Sequence, residues 1–324
     1  MKQAHRLYVG TIGQGVFRSL DGGETFARAC DGMFVECHVR ALTVHPSDPR
    51  TLYLGTEQGL YFTTNGADSW TQIDSPMDGM QIWSVLFVPG NPNIILAGTC
   101  PSRLFLSEDG GKTWAEPDVK MERDCPRIMH TRVTSLLADP DHPQTLWAGV
   151  EIDGVYHSGN GGRGWQPVGN GLSSRDIHGL IVVPRNGKSA RLLASTNNDL
   201  NVSLDGGLTW QPQKMGHRFP WSYCRGLGQM AGRPETAFLG MGDWVPGSVG
   251  TIARSVDGGV TWEEARLPNR ANSTIWNFAT HAAEPDLVYA SSVAGEIYRS
   301  WDGGENWEKL AREFGEIRAL AWTP

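Results

Sequence analysis

Seven residues recur at one register of the chain: Arg40, Trp83, Thr134, His178, Arg225, Trp276 and Arg318. Two positions before each stand His38, Gln81, Arg132, Asp176, Tyr223, Thr274 and Glu316. An apolar or thiol residue always separates them: Val39, Ile82, Val133, Ile177, Cys224, Ile275 and Ile317. A spacing of two puts both polar columns on one side of an extended strand. Guanidinium groups pair bidentately with carboxylate or phosphate, and aromatic rings suit a sugar or planar body. Histidine titrates near neutrality and can move a proton. Arg40, Trp83, Arg132, Tyr223, Arg225, Trp276 and Arg318 are therefore candidate ligand-binding residues. Either His38 or His178 is a candidate general acid–base. A structural reading stands beside this one. The arginines can instead pair with acidic neighbours, Asp176 and Glu316 being candidates, and the tryptophans can simply plug the space.

The elements that must hold these columns follow from an internal repeat. An eight-residue turn occurs seven times, at 19–26 (SLDGGETF), 63–70 (TTNGADSW), 107–114 (SEDGGKTW), 158–165 (SGNGGRGW), 203–210 (SLDGGLTW), 255–262 (SVDGGVTW) and 300–307 (SWDGGENW). The closing aromatics lie 44, 44, 51, 45, 52 and 45 residues apart. That period means stacked supersecondary units. Asp or Asn accepts backbone N–H groups in the turn, glycine supplies positive φ, and the Trp buries a ring beside the hairpin. Each repeat then reads as four short strands with turns between them, as in RALTV (40–44), TLYL (51–54) and LYFT (60–63), which is one propeller blade. The expected fold is all-β, one seven-bladed β-propeller over 1–324. Its first repeat starts at a second strand, Arg6–Val9, and its missing inner strand is supplied by 317–323 from the other end of the chain. Losing the last ten residues should open the ring.

The turn resembles the Asp-box, or BNR, repeat of the sialidase-like propeller superfamily, and the resemblance runs through nearly the whole chain. Copies two, four and seven depart at Asn65 and Ala67, Asn160 and Gly164, and Asn306. The resemblance implies the propeller and a structural role for the turns. It carries over no catalytic residue. The chain has seven repeats where sialidases have six blades, and no Arg-Ile-Pro precedes its first turn. Xyloglucan hydrolases of this type place their carboxylates between two propellers. Photosystem assembly factors share the seven-bladed plan and a basic funnel.

Composition narrows the function classes. A net charge of −7 argues against a nucleic-acid partner, which wants a basic footprint. No stretch approaches 18 apolar residues, so no membrane-spanning helix is expected. The N-terminus MKQAHRLYVG has no apolar core of a secretory signal, and the expected location is cytoplasmic. Five cysteines without CxxC spacing do not form a disulfide framework.

In a blade the strands alternate direction, so the turns of the repeat share one face and the inner-strand starts share the other. Both long intervals, within 115–131 and 241–250, fall in loops of that second face. Function concentrates on elaborated loops over a rigid scaffold, so the site is expected there. His38 and His130 beside Cys37 and Cys125 do not establish a metal site, and no metal or cofactor is expected. Carboxylates of the same face, Glu57, Glu151, Asp153, Asp199, Asp243 and Glu316, are candidates for an acid–base pair or plain loop residues. NGKS (186–189) lacks the upstream glycine of a phosphate loop, and GTIGQG (10–15) has the wrong glycine order for a dinucleotide fingerprint. The expected function is binding of a small anionic metabolite or acidic sugar, with hydrolase or lyase chemistry if it reacts. The alternative is a scaffold gripping an acidic peptide, with Phe34, Phe219 and Trp221 as its apolar rim.

Overall fold

The computed structural model describes residues 5–185 and 188–324. Asn186 and Gly187 of the NGKS stretch, and the first four residues, lie outside them. Seven antiparallel sheets radiate from an axis. Blade 1 comprises Ile317–Thr323, Arg6–Thr11, Val16–Ser19 and Ala27–Arg28, and blade 2 Ala41–His45, Asp48–Thr56, Gly59–Thr63 and Thr71–Gln72. Blade 3 comprises Gln81–Phe87, Ile95–Cys100 and Leu104–Ser107, with a single bridge from Leu106 to Ala115 in place of a fourth strand. Blade 4 comprises Arg132–Ala138, Leu146–Glu151, Gly154–Ser158 and Gln166–Val168, and blade 5 Ile177–Arg185, Lys188–Thr196, Leu200–Ser203 and Gln211–Pro212. Tyr223–Met230, Arg233–Gly242, Gly250–Ser255 and Glu263–Glu264 make blade 6, and Ile275–Thr280, Val288–Ser292, Ile297–Ser300 and Glu308–Lys309 make blade 7.

The ring closes as the repeat phase requires. Ile317–Thr323 pairs antiparallel with Arg6–Thr11, in the register Leu7↔Trp322 and Val9↔Leu320. Closure removes an unpaired inner edge that would otherwise template aggregation. Second strands run longer than their apolar cores suggest. Asp48–Thr56 absorbs the residues Asp48–Arg50 that read as a turn: Asp48 pairs with His45, the Arg50 N–H donates to Asp48 Oδ1 at 3.0 Å, and the Arg50 carbonyl accepts from the Gly66 N–H at 2.8 Å.

Six of the seven turns act as inter-blade locks. In the first copy Ser19 Oγ accepts from the Gly23 N–H at 2.7 Å, and Asp21 Oδ1 accepts from Glu24 and Thr25 N–H at 3.1 and 2.9 Å. The carboxylate thus reaches three and four residues on, where a simple Asx turn would reach two. The first glycine's carbonyl then accepts from the preceding blade: Arg18 to Gly66, Tyr53 to Gly110, Trp147 to Gly206, Arg191 to Gly258, Arg254 to Gly303 and Arg299 to Gly22. The closing indoles of Trp114, Trp165, Trp210 and Trp307 donate to the second glycine of their own turn. Trp70 differs: its indole donates to the Ala29 carbonyl at 2.9 Å. The same turns bond to the first-to-second-strand connections, as in Gly110 to Asn93 and Gly303 to Asp286. They therefore lie on the face expected, opposite the inner-strand starts.

Candidate functional site

Six of the seven residues of the axial column occupy a β-bulge. Trp83 lies between Ile82↔Thr99 and Ser84↔Gly98 and has no partner of its own. The same skip isolates Thr134, His178, Trp276 and Arg318. Arg225 and Gly226 together fall between Cys224↔Met241 and Leu227↔Leu239. Arg40 sits just before its strand and donates its N–H to the Gly55 carbonyl at 2.8 Å. A bulge turns one side chain out of the pleat, here toward the axis. The sequence carries a signal for this. The second strand facing each bulge has Gly or Ser followed by a short run, as in YVGT, YLGT, LAGT, WAGV, LAST, FLGM and YASS. The next blade packs against that small residue. A Cβ on Gly98 would stand 2.5 Å from Val133 Cγ1, and one on Gly240 2.3 Å from the Ile275 carbonyl oxygen. The apolar residues between the two polar columns are thus the inter-blade contacts.

All seven column residues line one axial cavity of about 450 Å³, whose lower wall is Leu42, Val85, Leu136, Leu180, Leu227, Phe278 and Leu320. At its mouth the cations and aromatics alternate. The Arg40 and Arg132 guanidiniums lie 4.6 and 4.5 Å from the centre of the Trp83 ring. Those of Arg225 and Arg318 lie 3.7 and 4.0 Å from the centre of Trp276. Each indole is flanked by a guanidinium from the blade on either side, so its faces are engaged by the protein, and a ligand meets chiefly its edge. Trp83 also donates to Gln81 Oε1 at 3.1 Å.

Carboxylates offset most of the positive charge. Arg132 Nε lies 2.5 Å from Glu151 Oε2, Arg225 Nη1 lies 3.8 Å from Glu151 Oε1, and Arg318 pairs with Glu316. The mouth is therefore less electropositive than its arginine count suggests. Arg40 is different. No carboxylate lies within ion-pair distance of it among the described residues, and its buried Nε has no hydrogen-bond partner. Burial first, then the Arg132 charge, lower its pKa. Burial likewise brings Arg318 down to about 10.

His178 and Asp176 lie side by side at the mouth. His178 Nδ1–H donates to the Cys224 carbonyl at 2.7 Å, and its side chain is 2 % exposed. Burial, reinforced by Arg225, lowers its pKa against the opposing pull of Asp176, and the ring is neutral near pH 7. Nε2 then carries a lone pair and faces Asp176 Oδ1 at 3.4 Å. Burial would raise the Asp176 carboxyl, but His178, Arg225 and Arg132 together hold it below the ordinary range. Two acceptors with no hydrogen between them can hold one incoming proton. Glu151, Asp176 and His178 also bring three possible ligand atoms within 4.8 Å of one another. Arg132 and Arg225 already face those carboxylates and supply the countercharge a metal ion would bring.

The other expected residues separate. Tyr223 is buried between His178 and Trp244, with ring centres at 5.2 and 5.7 Å. His38 keeps the mouth position, and its backbone N–H donates to Glu57 Oε2 at 2.6 Å. Its neighbour Cys37 is buried, and that burial pushes the thiol up to about 12, far from a metal-binding thiolate. His130 Nδ1 meets Asp124 Oδ1 at 3.0 Å on a short hairpin within 115–131. Several carboxylates proposed for acid–base work instead fasten loops. Asp153 accepts from the Glu122 N–H, Asp199 from the Lys214 and Met215 N–H groups, and Asp243 from Ser248. Phe219 is buried, so the expected apolar rim does not form around it. The exposed apolar residues of this face are Phe34, Val35, Met129 and Trp244.

Comparison with known proteins follows this geometry. The family model described as Sortilin, neurotensin receptor 3, matches residues 14–137. A probable oligoxyloglucan-reducing end-specific xyloglucanase of Neosartorya fischeri is 32% identical over 127 residues, covering 37% of this chain and 14% of that protein. A xyloglucanase of Hypocrea jecorina is 26% identical over 118 residues, again covering 14% of its length. The chain thus spans about a seventh of the curated relatives it matches. Among solved structures, an ancestral GH74 enzyme aligns with TM-score 0.58 at 18% identity, over 98% of this chain and 55% of the other. YCF48 bound to D1 peptide aligns with TM-score 0.58 at 15% identity, over 84% and 81% of the two chains. At these identities the structural likeness shows the propeller fold alone.

Proposed function

We propose that the cavity mouth binds a small anionic molecule, an acidic sugar foremost, and that Arg40 receives its anionic group. The supporting observation is the state of Arg40: it borders the cavity without a carboxylate partner, and its buried Nε is unsatisfied. Arg40 is half-buried, and a cation there with no carboxylate at ion-pair distance carries a desolvation cost that an incoming carboxylate relieves. His178, three blades further round the ring, is the base if the ligand reacts, with Asp176 holding the proton beside it. Arg132, Arg225 and Arg318 keep the mouth cationic and rigid through their stacking on Trp83 and Trp276. The reaction class this suits is a lyase or hydrolase. The turn pattern supports placement among Asp-box propellers, and a cytoplasmic location remains part of the proposal.

A second reading is a scaffold for an acidic peptide. The exposed Phe34, Val35, Met129 and Trp244 on the same face favour it, as does the likeness to a propeller solved with a bound peptide. Calorimetric titration with methyl β-glucuronide and with a ten-residue oligoglutamate separates the two. Binding of the glucuronide that is lost in Arg40→Ala supports the first reading. Binding of the peptide alone supports the second.

A further inference from the structure

Trp244 is the one tryptophan among the exposed large apolar side chains of the described residues, at 58 % exposure. It stands on the loop 243–249, between the second and third strands of blade 6. That loop is tightly built. The Asp243 carboxylate accepts from the Ser248 N–H at 2.9 Å and its hydroxyl at 2.8 Å. The Thr274 hydroxyl donates to the Trp244 carbonyl, and the Thr274 N–H donates to the Pro246 carbonyl at 3.1 Å. An indole held in solvent forgoes the gain of burial. It tilts against Tyr223, which itself packs on His178. Trp83 and Trp276, by contrast, are flanked by guanidiniums.

We propose that Trp244 is the specificity-determining platform of the site, stacking on the ring of the ligand and selecting an acid carried on a pyranose over an open-chain acid. This rests on the reading of Arg40 as the anion receiver. The amphipathic indole offers an apolar face to the C–H face of a sugar and keeps its N–H in water. His178, against which Tyr223 packs, lines the same axial cavity that Arg40 borders.

The probes are methyl β-glucuronide, locked as a ring, and gluconate, an open chain of equal charge, titrated by calorimetry. Wild type should prefer the glucuronide by about fivefold or more. Trp244→Ala should bring that preference close to one while leaving gluconate affinity unchanged, and Trp244→Phe should keep most of it. Arg40→Ala should weaken both acids. Equal wild-type affinity for the two, or equal weakening of both in Trp244→Ala, overturns the platform and leaves the anion reading standing. A wild type that binds neither acid overturns both. Binding of oligoglutamate that depends on Trp244, without binding of either acid, makes the residue a peptide contact and ends the sugar proposal.

Discussion

The Arg225 guanidinium lies 3.7 Å from the centre of the Trp276 ring. Arg225 is only 6 % exposed, and Glu151 approaches it at 3.8 Å. Such a cation is part of the wall as well as of the site. Arg225→Ala should lower stability by about 2 kcal/mol, through lost cation–π packing and a carboxylate left less compensated. Chemical denaturation measures this, and an unchanged midpoint would show that the stacking contributes nothing.

Arg40 should behave in the opposite way. It stacks on Trp83 but has no carboxylate partner and stands in the field of Arg132. Arg40→Ala should change stability by no more than ~0.5 kcal/mol, because lost stacking and relieved repulsion offset each other. Glucuronide affinity should fall by about tenfold or more, the range for a charge-assisted hydrogen bond. Thermal melting and calorimetry on one preparation test both halves.

Gly240→Ala probes the bulge architecture. Its Cβ would meet the Ile275 backbone carbonyl at 2.3 Å, and backbone cannot swing aside. Overpacking should cost ~1–3 kcal/mol and displace Trp276 relative to Arg225. A fluorescence spectrum and melting point equal to wild type would contradict the packing account.

Acid should loosen the turns in a defined window. Hydrogen bonds from Thr113 hold Asp109 at about 2. Burial is the largest single influence on Asp21 and would raise it, but its Thr25, Ser19 and Glu24 bonds together hold it at about 2. Asp205, Asp257 and Asp302 are lowered in the same sense. Folded values lie below the unfolded value of about 3.9, so this stabilisation is present above about pH 4 and is lost as pH falls toward 2. Melting temperature should drop across that interval. Asp109→Asn, which accepts but does not titrate, should shrink the drop.

Deleting 317–324 removes the inner strand of blade 1 and exposes Arg6–Thr11 as an unpaired edge. The truncated chain should lose cooperative melting and aggregate. Adding the missing strand as a peptide should restore a single transition. A truncated chain that melts cooperatively by itself would show that closure is dispensable.

Much was legible in the linear order, for local reasons. A turn of Ser, Asp and paired glycines announces itself wherever it occurs, since its bonds run within five residues. Seven of them at a near-constant period set the blade count, and the phase of the first and last repeats set the closure of 317–323 on Arg6–Thr11. The column Arg40, Trp83, Thr134, His178, Arg225, Trp276 and Arg318 was readable because each repeat begins its inner strand at the same point. The charge state of that column was not. Whether an arginine is paired depends on residues such as Glu151, which lies on a neighbouring strand and reaches both Arg132 and Arg225. The tertiary structure also decided that Trp83 and Trp276 stand between guanidiniums while Trp244 stands in solvent. Stacking across blades is set by the bulge angle and by glycines such as Gly98 and Gly240, which let one inner strand approach the next. Those are through-space relations among residues some 40 positions apart, and no local pattern encodes which face of a ring is taken.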